Sequence, residues 1–116
     1  MGYEIYNLSK GNKLLDNVKI ADSFFTRLKG LLGEAGLRPG EGILIKPCNS
    51  IHTFGMKFPI DVAFVDKSNM VVHIMEDIPK GKLSPIVKGA KYVIEARAGE
   101  YKAKGLEVGD IIEIGD

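Results

Sequence analysis

The sequence has no tryptophan and a single cysteine, Cys48. One thiol cannot close an intrachain disulfide, so the fold must rest on its core, and nothing in the cysteine usage points to an oxidising compartment. No apolar run approaches the roughly 18 residues of a membrane-spanning helix. The opening residues carry charges throughout and lack the apolar stretch of a secretory signal. Gly2 is followed by Tyr3-Glu4-Ile5-Tyr6, without the hydroxyl residue a myristoylation motif wants at position 6. A cytoplasmic location is the expectation. Repeats, low-complexity tracts and linkers are also missing, and a chain of 116 residues reads as a single domain over 1–116.

An excess of either charge sign is missing too. The net charge is +1, although residues 78–104 carry seven basic groups (Lys80, Lys82, Lys88, Lys91, Arg97, Lys102, Lys104) against Glu95 and Glu100. A nucleic-acid reader wants arginines placed for bidentate contacts. Here the lysines are scattered and one arginine stands among them, so nucleic acid is not expected as a partner. Lys80-Gly81-Lys82 lacks the preceding strand and the spacing of a phosphate loop, and no other cofactor motif is found. No cofactor is expected.

What is present is an apolar fraction of 45%, ordinary for a globular protein, and a pattern dominated by short β-type runs. Residues 3–7 and 13–21 are apolar-rich and separated by Ser9-Lys10-Gly11-Asn12, which predicts an opening hairpin. Asp22 or Ser23 is placed to cap a helix over about 24–32. Its Phe24, Phe25, Leu28, Leu31 and Leu32 recur on one helical face, and Gly33 and Gly36 end it. From residue 42 the period changes. Residues 42–46, 50–56, 62–65, 70–75, 92–96 and 111–114 are β-branched or aromatic-rich and bounded by turn residues, and 99–104 fits one helical turn. Many short strands with one helix do not suit an alternating βαβ protein. The expected fold is mainly β, an antiparallel β-sandwich or distorted barrel, with one helix near residues 23–33 packed across an opening.

The densest chemistry lies in Pro47–Asp61, which holds Cys48, His52, Thr53, Met56 and Asp61. On a strand, Ser50, His52, Phe54 and Met56 would share one face, and Ile51, Thr53 and Gly55 the other. Three uses are open. Cys48, His52 and Asp61 could serve as nucleophile, base and orienter for thiol or acyl-transfer chemistry, which needs a depressed thiol pKa. No Gly-x-Ser-x-Gly elbow or oxyanion donor accompanies them. A metal site would need Cys48 and His52 with His73, completed by Asp61, Glu95 or water, because Cys and His total three residues. No metal is expected, since nothing in the spacing demands one. In the third, these side chains line a recess for a small molecule or a protein segment, and this binding or accessory module is the leading reading. A purely structural interaction domain remains beside them. Asp61, directly after Pro59-Ile60, could instead accept backbone N–H groups and fix a turn. Gly109-Asp110 reads as turn chemistry alone.

Leu28-Lys29-Gly30-Leu31-Leu32, Gly42-Ile43-Leu44-Ile45, the block Ile51-His52-Thr53-Phe54-Gly55-Met56-Lys57-Phe58-Pro59-Ile60-Asp61-Val62-Ala63-Phe64-Val65-Asp66, and Val93-Ile94-Glu95-Ala96-Arg97-Ala98-Gly99 together resemble domain-of-unknown-function family one-nine-two. The resemblance runs over about 22–114. It implies a small β-sandwich or jelly-roll-like domain and carries over no activity, substrate or cofactor. Its emphasis falls on His52, Thr53, Met56, Pro59, Asp61 and Glu95. One departure is Gly55, where the family usually has Phe or Trp before the methionine; if that aromatic lines a pocket, the pocket here is wider or its wall comes from elsewhere, for example Phe54 or Phe58. A monomer is expected.

Overall fold

The computed structural model describes residues 2–116. Seven strands form one sheet: β1 (Tyr3–Asn7), β2 (Asn12–Ala21), β3 (Glu41–Ile45), β4 (Ile60–Val65), β5 (Val71–Ile78), β6 (Tyr92–Arg97) and β7 (Ile112–Gly115). Two short helices interrupt them, α1 (Phe24–Lys29) and α2 (Glu100–Lys104). The strand order is β5-β4-β6-β3-β2-β1-β7. No helix among the described residues is long and apolar enough to cross a membrane.

The β-rich expectation holds, and of its two forms the distorted barrel is the one adopted. The sheet curls until its edge strands β5 and β7 meet at one end. Met70 bridges Ile111, the Val71 N–H donates to the Asp110 carbonyl at 2.9 Å, and the Gly109 N–H donates to the Val71 carbonyl at 2.7 Å. Asp110 ties this corner to the opening hairpin, accepting from Asn7 Nδ2 at 2.8 Å and Lys10 Nζ at 2.9 Å. Every pair is antiparallel except β2·β3. A parallel pair needs a crossover of a dozen or so residues. Here the crossover is α1 with the loop that follows it, and that excursion builds half of the site.

β4 is buried at every position, as expected of a central strand covered on both faces. Two apolar clusters therefore share it. One fills the concave side, with Ile5, Leu14, Val18, Leu44, Ile94 and Tyr101. The other lies on the opposite side, with Ile43, Ile45, Ile51, Met56, Val62 and Val93, beneath the loops that leave β2 and β3.

Two local expectations fail. Residues 50–56 are not a strand, apart from an isolated bridge between His52 and Leu83. Their backbone groups go to separate loop partners: the Thr53 N–H to the Lys82 carbonyl, the Ser84 N–H to the Ile51 carbonyl, and the Met56 N–H back to the Thr53 carbonyl in a turn. The inside–outside alternation survives from Ser50 to Phe54. Gly55 then takes φ +80, which turns Met56 inward instead of leaving it on the His52 side. The helix is also shorter than its stripe predicts. Ser23 caps it as expected, but it ends at Gly30, and none of its residues is buried. Leu31 and Leu32 reach the second cluster from the turn beyond, leaving Phe24, Phe25 and Leu28 more than half exposed.

Candidate functional site

Between α1 with its following turn and the 45–56 segment lies a recess of about 280 Å³. Its walls are apolar, from Leu28, Leu31, Leu32, Ile45, Ile51 and Met56, with Phe24 at the helix end. Its polar lining comes from Arg27, Lys29, Cys48, Ser50, His52 and Glu95. Of the residues the sequence singles out, Cys48, His52, Met56 and Glu95 meet here, whereas Thr53, Asp61 and His73 do not.

Glu95 is the unusual member. It leaves β6 between Ile43 of β3 and Val62 of β4, its partners in register, and so stands among the second apolar cluster. It is 5% exposed, yet no described residue hydrogen-bonds or ion-pairs with its carboxyl. Burial alone raises its pKa to about 7. A carboxyl without partners in an apolar setting is costly, and buried polar groups are ordinarily satisfied. This one faces a hollow.

Cys48 is half-buried, and its Sγ donates to the Ser50 carbonyl at 3.1 Å. Burial pushes the thiol pKa up and the Glu95 carboxyl adds to this, while the Arg27 charge opposes it without prevailing. A nucleophile needs the reverse shift. His52 is exposed and stacks on Phe54, the ring centroids 5.4 Å apart at 22°. Arg27 reaches across to the Pro47 carbonyl at 3.4 Å, and its Nε is buried without a partner.

Thr53 is fully buried and structural in its bonding. Its Oγ1 donates to the Pro79 carbonyl at 2.7 Å and accepts from the Lys82 N–H at 2.8 Å, holding the 79–82 loop. Asp61 lies on the opposite side of the sheet from Glu95 and is fully buried. One carboxylate oxygen accepts from the Asp77 N–H at 2.8 Å, the other from the Gly99 and Tyr101 N–H groups at 3.0 and 3.2 Å. It backs a separate, more open hollow of about 410 Å³ shared with Glu76, Asp77 and Lys102. That hollow is larger, but its buried carboxylate is already satisfied. The Cys48–His52–Asp61 set is therefore not assembled. His73 sits on β5 with its ring 5.5 Å from that of Phe64, and among the described residues no three His, Cys, Asp or Glu side chains gather as a metal site.

Leu28, Leu31 and Leu32 are recess residues that the sequence presents as part of a helical stripe and of the family resemblance, and Arg27 is one that it does not single out. Gly55 does not line the recess, but a Cβ there would come within 3.1 Å of Leu32, which does. Phe54 caps His52 at the surface, and Phe58 packs against the second cluster.

Comparison with known proteins agrees with this architecture. The family described as Uncharacterized ACR, COG1430 (DUF192) matches residues 6–114. A UPF0127 protein of Thermococcus sibiricus is 36% identical over 123 aligned residues, covering 94% of this chain and 73% of that one. A UPF0127 protein of Pyrococcus abyssi is 39% identical, covering 94% and 95% of the two chains. Among solved structures, a protein of Sinorhizobium meliloti 1021, provisionally named a transcription regulator, superposes with a TM-score of 0.84 at 22% identity, covering 97% of this chain and 91% of that one. A protein of unknown function from Novosphingobium aromaticivorans gives 0.82 at 20% identity, covering 96% and 82%. At these identities the solved structures speak for the fold alone, while the match along nearly the whole sequence decides the family: this chain belongs to the uncharacterised DUF192 (UPF0127) family.

Proposed function

We propose that this protein is a small-molecule-binding module whose site is the recess between α1 and the 45–56 segment. The observation that carries the reading is Glu95, a buried carboxyl without a protein partner, facing an apolar hollow. Ligand sites characteristically combine apolar walls with a few placed polar groups, and perturbed carboxyls mark them. A volume of about 280 Å³ sits at the small end of such sites. Cys48, His52 and Met56 contribute to the walls, Thr53 ties the 51–56 segment to the 79–82 loop, and Asp61 serves the other face of the sheet. The protein acts as a monomer, in a cytoplasmic setting that suits its free thiol.

The apolar rim favours one second reading. Phe24, Phe25, Leu28, Phe54 and Leu83 are exposed, and Phe24 and Leu28 line the mouth while Phe54 and Leu83 contact His52. Exposed apolar side chains gathered in one place mark contact surfaces, so a protein segment is the other candidate occupant. The transcription-regulator name attached to one structural neighbour finds no support in the scattered lysines of this chain.

Titration with a set of small fragments, followed by amide NMR, tests the proposal. Binding should move amides of 27–32, 45–56 and Glu95 together. Shifts confined to the hollow at Asp61, Asp77 and Lys102, or to the lysine-rich 78–91 stretch, would refute it.

A further inference from the structure

From the pairing of an unpartnered carboxyl with an apolar enclosure, we infer that the recess selects small amphiphilic amines, seating the ammonium on Glu95 and the hydrocarbon against Leu31, Leu32, Ile51 and Met56. The inference rests on the recess being a binding site and adds the ligand's chemical class. An alcohol or amide would satisfy one lone pair of this carboxyl. An ammonium offers three N–H donors and the opposite charge, so it compensates the whole group where compensation is worth most, away from water. A carboxylate or phosphate head would face like-charge repulsion at Glu95.

The remaining charged and titratable groups on the recess are Arg27 and Lys29, from α1, and Cys48 and His52, from the loop after β3. The strand neighbours Ile43 and Val62 bring no charge. Arg27 is the competing determinant. Its buried, unpartnered Nε would favour an anionic head, but it stands in a helix with no buried residue and already reaches the Pro47 carbonyl, whereas Glu95 has nothing else to bind.

This chemistry has a pH signature. The free carboxyl holds its proton up to about pH 7. An alkylammonium keeps its own proton well above that, near the lysine value of about 10.4. Pairing the two requires Glu95 to release its proton. Amine affinity should therefore fall about tenfold for each pH unit below the Glu95 midpoint and level off above it.

The test compares hexylamine, hexanol and hexanoate, which share one tail, on the full chain at pH 5.5 to 8.5. Amide NMR reports the location and calorimetry the affinity and proton release. Hexylamine should bind at least tenfold tighter than hexanol at pH 8, with a proton released near pH 6. Glu95→Gln should bring the two to equal affinity and abolish the pH dependence while still binding hexanol, which shows that the recess is intact. A pH dependence that survives Glu95→Gln and disappears in His52→Gln would overturn the inference, as would tightest binding of hexanoate, which would assign recognition to Arg27. In either case the recess remains a binding site. If none of the three compounds moves the recess amides, both the amine assignment and the recess reading are lost.

Discussion

Glu95 on β6 stands opposite Val62 on β4 and Ala96 opposite Asp61, so the two buried carboxyls leave one strand pair on opposite faces. A single residue of offset gives them opposite fates, because strand side chains alternate with period two. Asp61 meets three backbone N–H groups and serves the fold. Glu95 meets none and faces the recess.

Asp61→Ala should therefore be costly. It removes the acceptor of the Asp77, Gly99 and Tyr101 N–H groups; those of Asp77 and Gly99 border the open hollow, where water can replace it, but the Tyr101 N–H is buried, and leaving a buried donor unpaired costs about 1–3 kcal/mol. A loss of at least about 1 kcal/mol in urea unfolding is expected, with Asp61→Asn falling between. A change smaller than about 0.5 kcal/mol, the usual range for an inconsequential surface site, would show the carboxylate to be dispensable.

Glu95 should leave a mark on stability against pH. Its pKa is about 7 in the folded chain against an ordinary value of 4.5. Between those values the folded state binds more protons than the unfolded one, so the Glu95 contribution is fully present below about 4.5 and lost as pH rises through 7. The span corresponds to on the order of 3 kcal/mol. Urea midpoints at pH 5 and pH 7.5 measure it: Glu95→Gln should erase this part of the decline. An identical pH profile in the two proteins would contradict the burial argument.

Cys48 should be a poor nucleophile. With its pKa raised by burial, alkylation by iodoacetamide in the native state should be slow at neutral pH and accelerate only above the free-thiol value of about 8.5. Rapid modification at pH 7 would reinstate the enzyme reading.

Gly42 sits in β3 because β6 runs close beside it. A Cβ there would lie 2.6 Å from the Glu95 carbonyl oxygen and 3.0 Å from Leu15 Cδ1. Gly42→Ala should cost about 1–3 kcal/mol by overpacking, read as a lowered melting temperature. An unchanged or raised melting temperature would mean that the two strands separate freely at this point.

The strands were legible where pairing partners and burial reinforce the local pattern. The alternating or fully apolar runs at β2, β4 and β6 carry their own signal, and Gly99–Lys104 gives its helical turn. Residues 50–56 misled because alternation reports which side chains are buried, not whether the backbone pairs in a ladder. Loop partners at Lys82 and Ser84 impose the same alternation on Ile51 and Thr53 without a strand. The helical stripe misled for the opposite reason: Phe24, Phe25 and Leu28 have the spacing of a core face, but Gly30 ends the helix over a hollow rather than over a packed surface. Glu95 carried emphasis through the family pattern and otherwise figured just as one possible completing member of a metal set. Its isolation depends on the register of β3, β4 and β6, which no single segment encodes. Arg27 had no sequence signal.

Carbon-detected NMR of the Glu95 side-chain carboxyl, followed through a pH titration of the ligand-free chain, reaches the heart of the account. A midpoint near 7 is expected for a carboxyl held in an apolar recess without a partner. A midpoint in the ordinary glutamate range, about 4.3, would mean that water or a protein group already satisfies it, and the proposed ligand anchor would be gone.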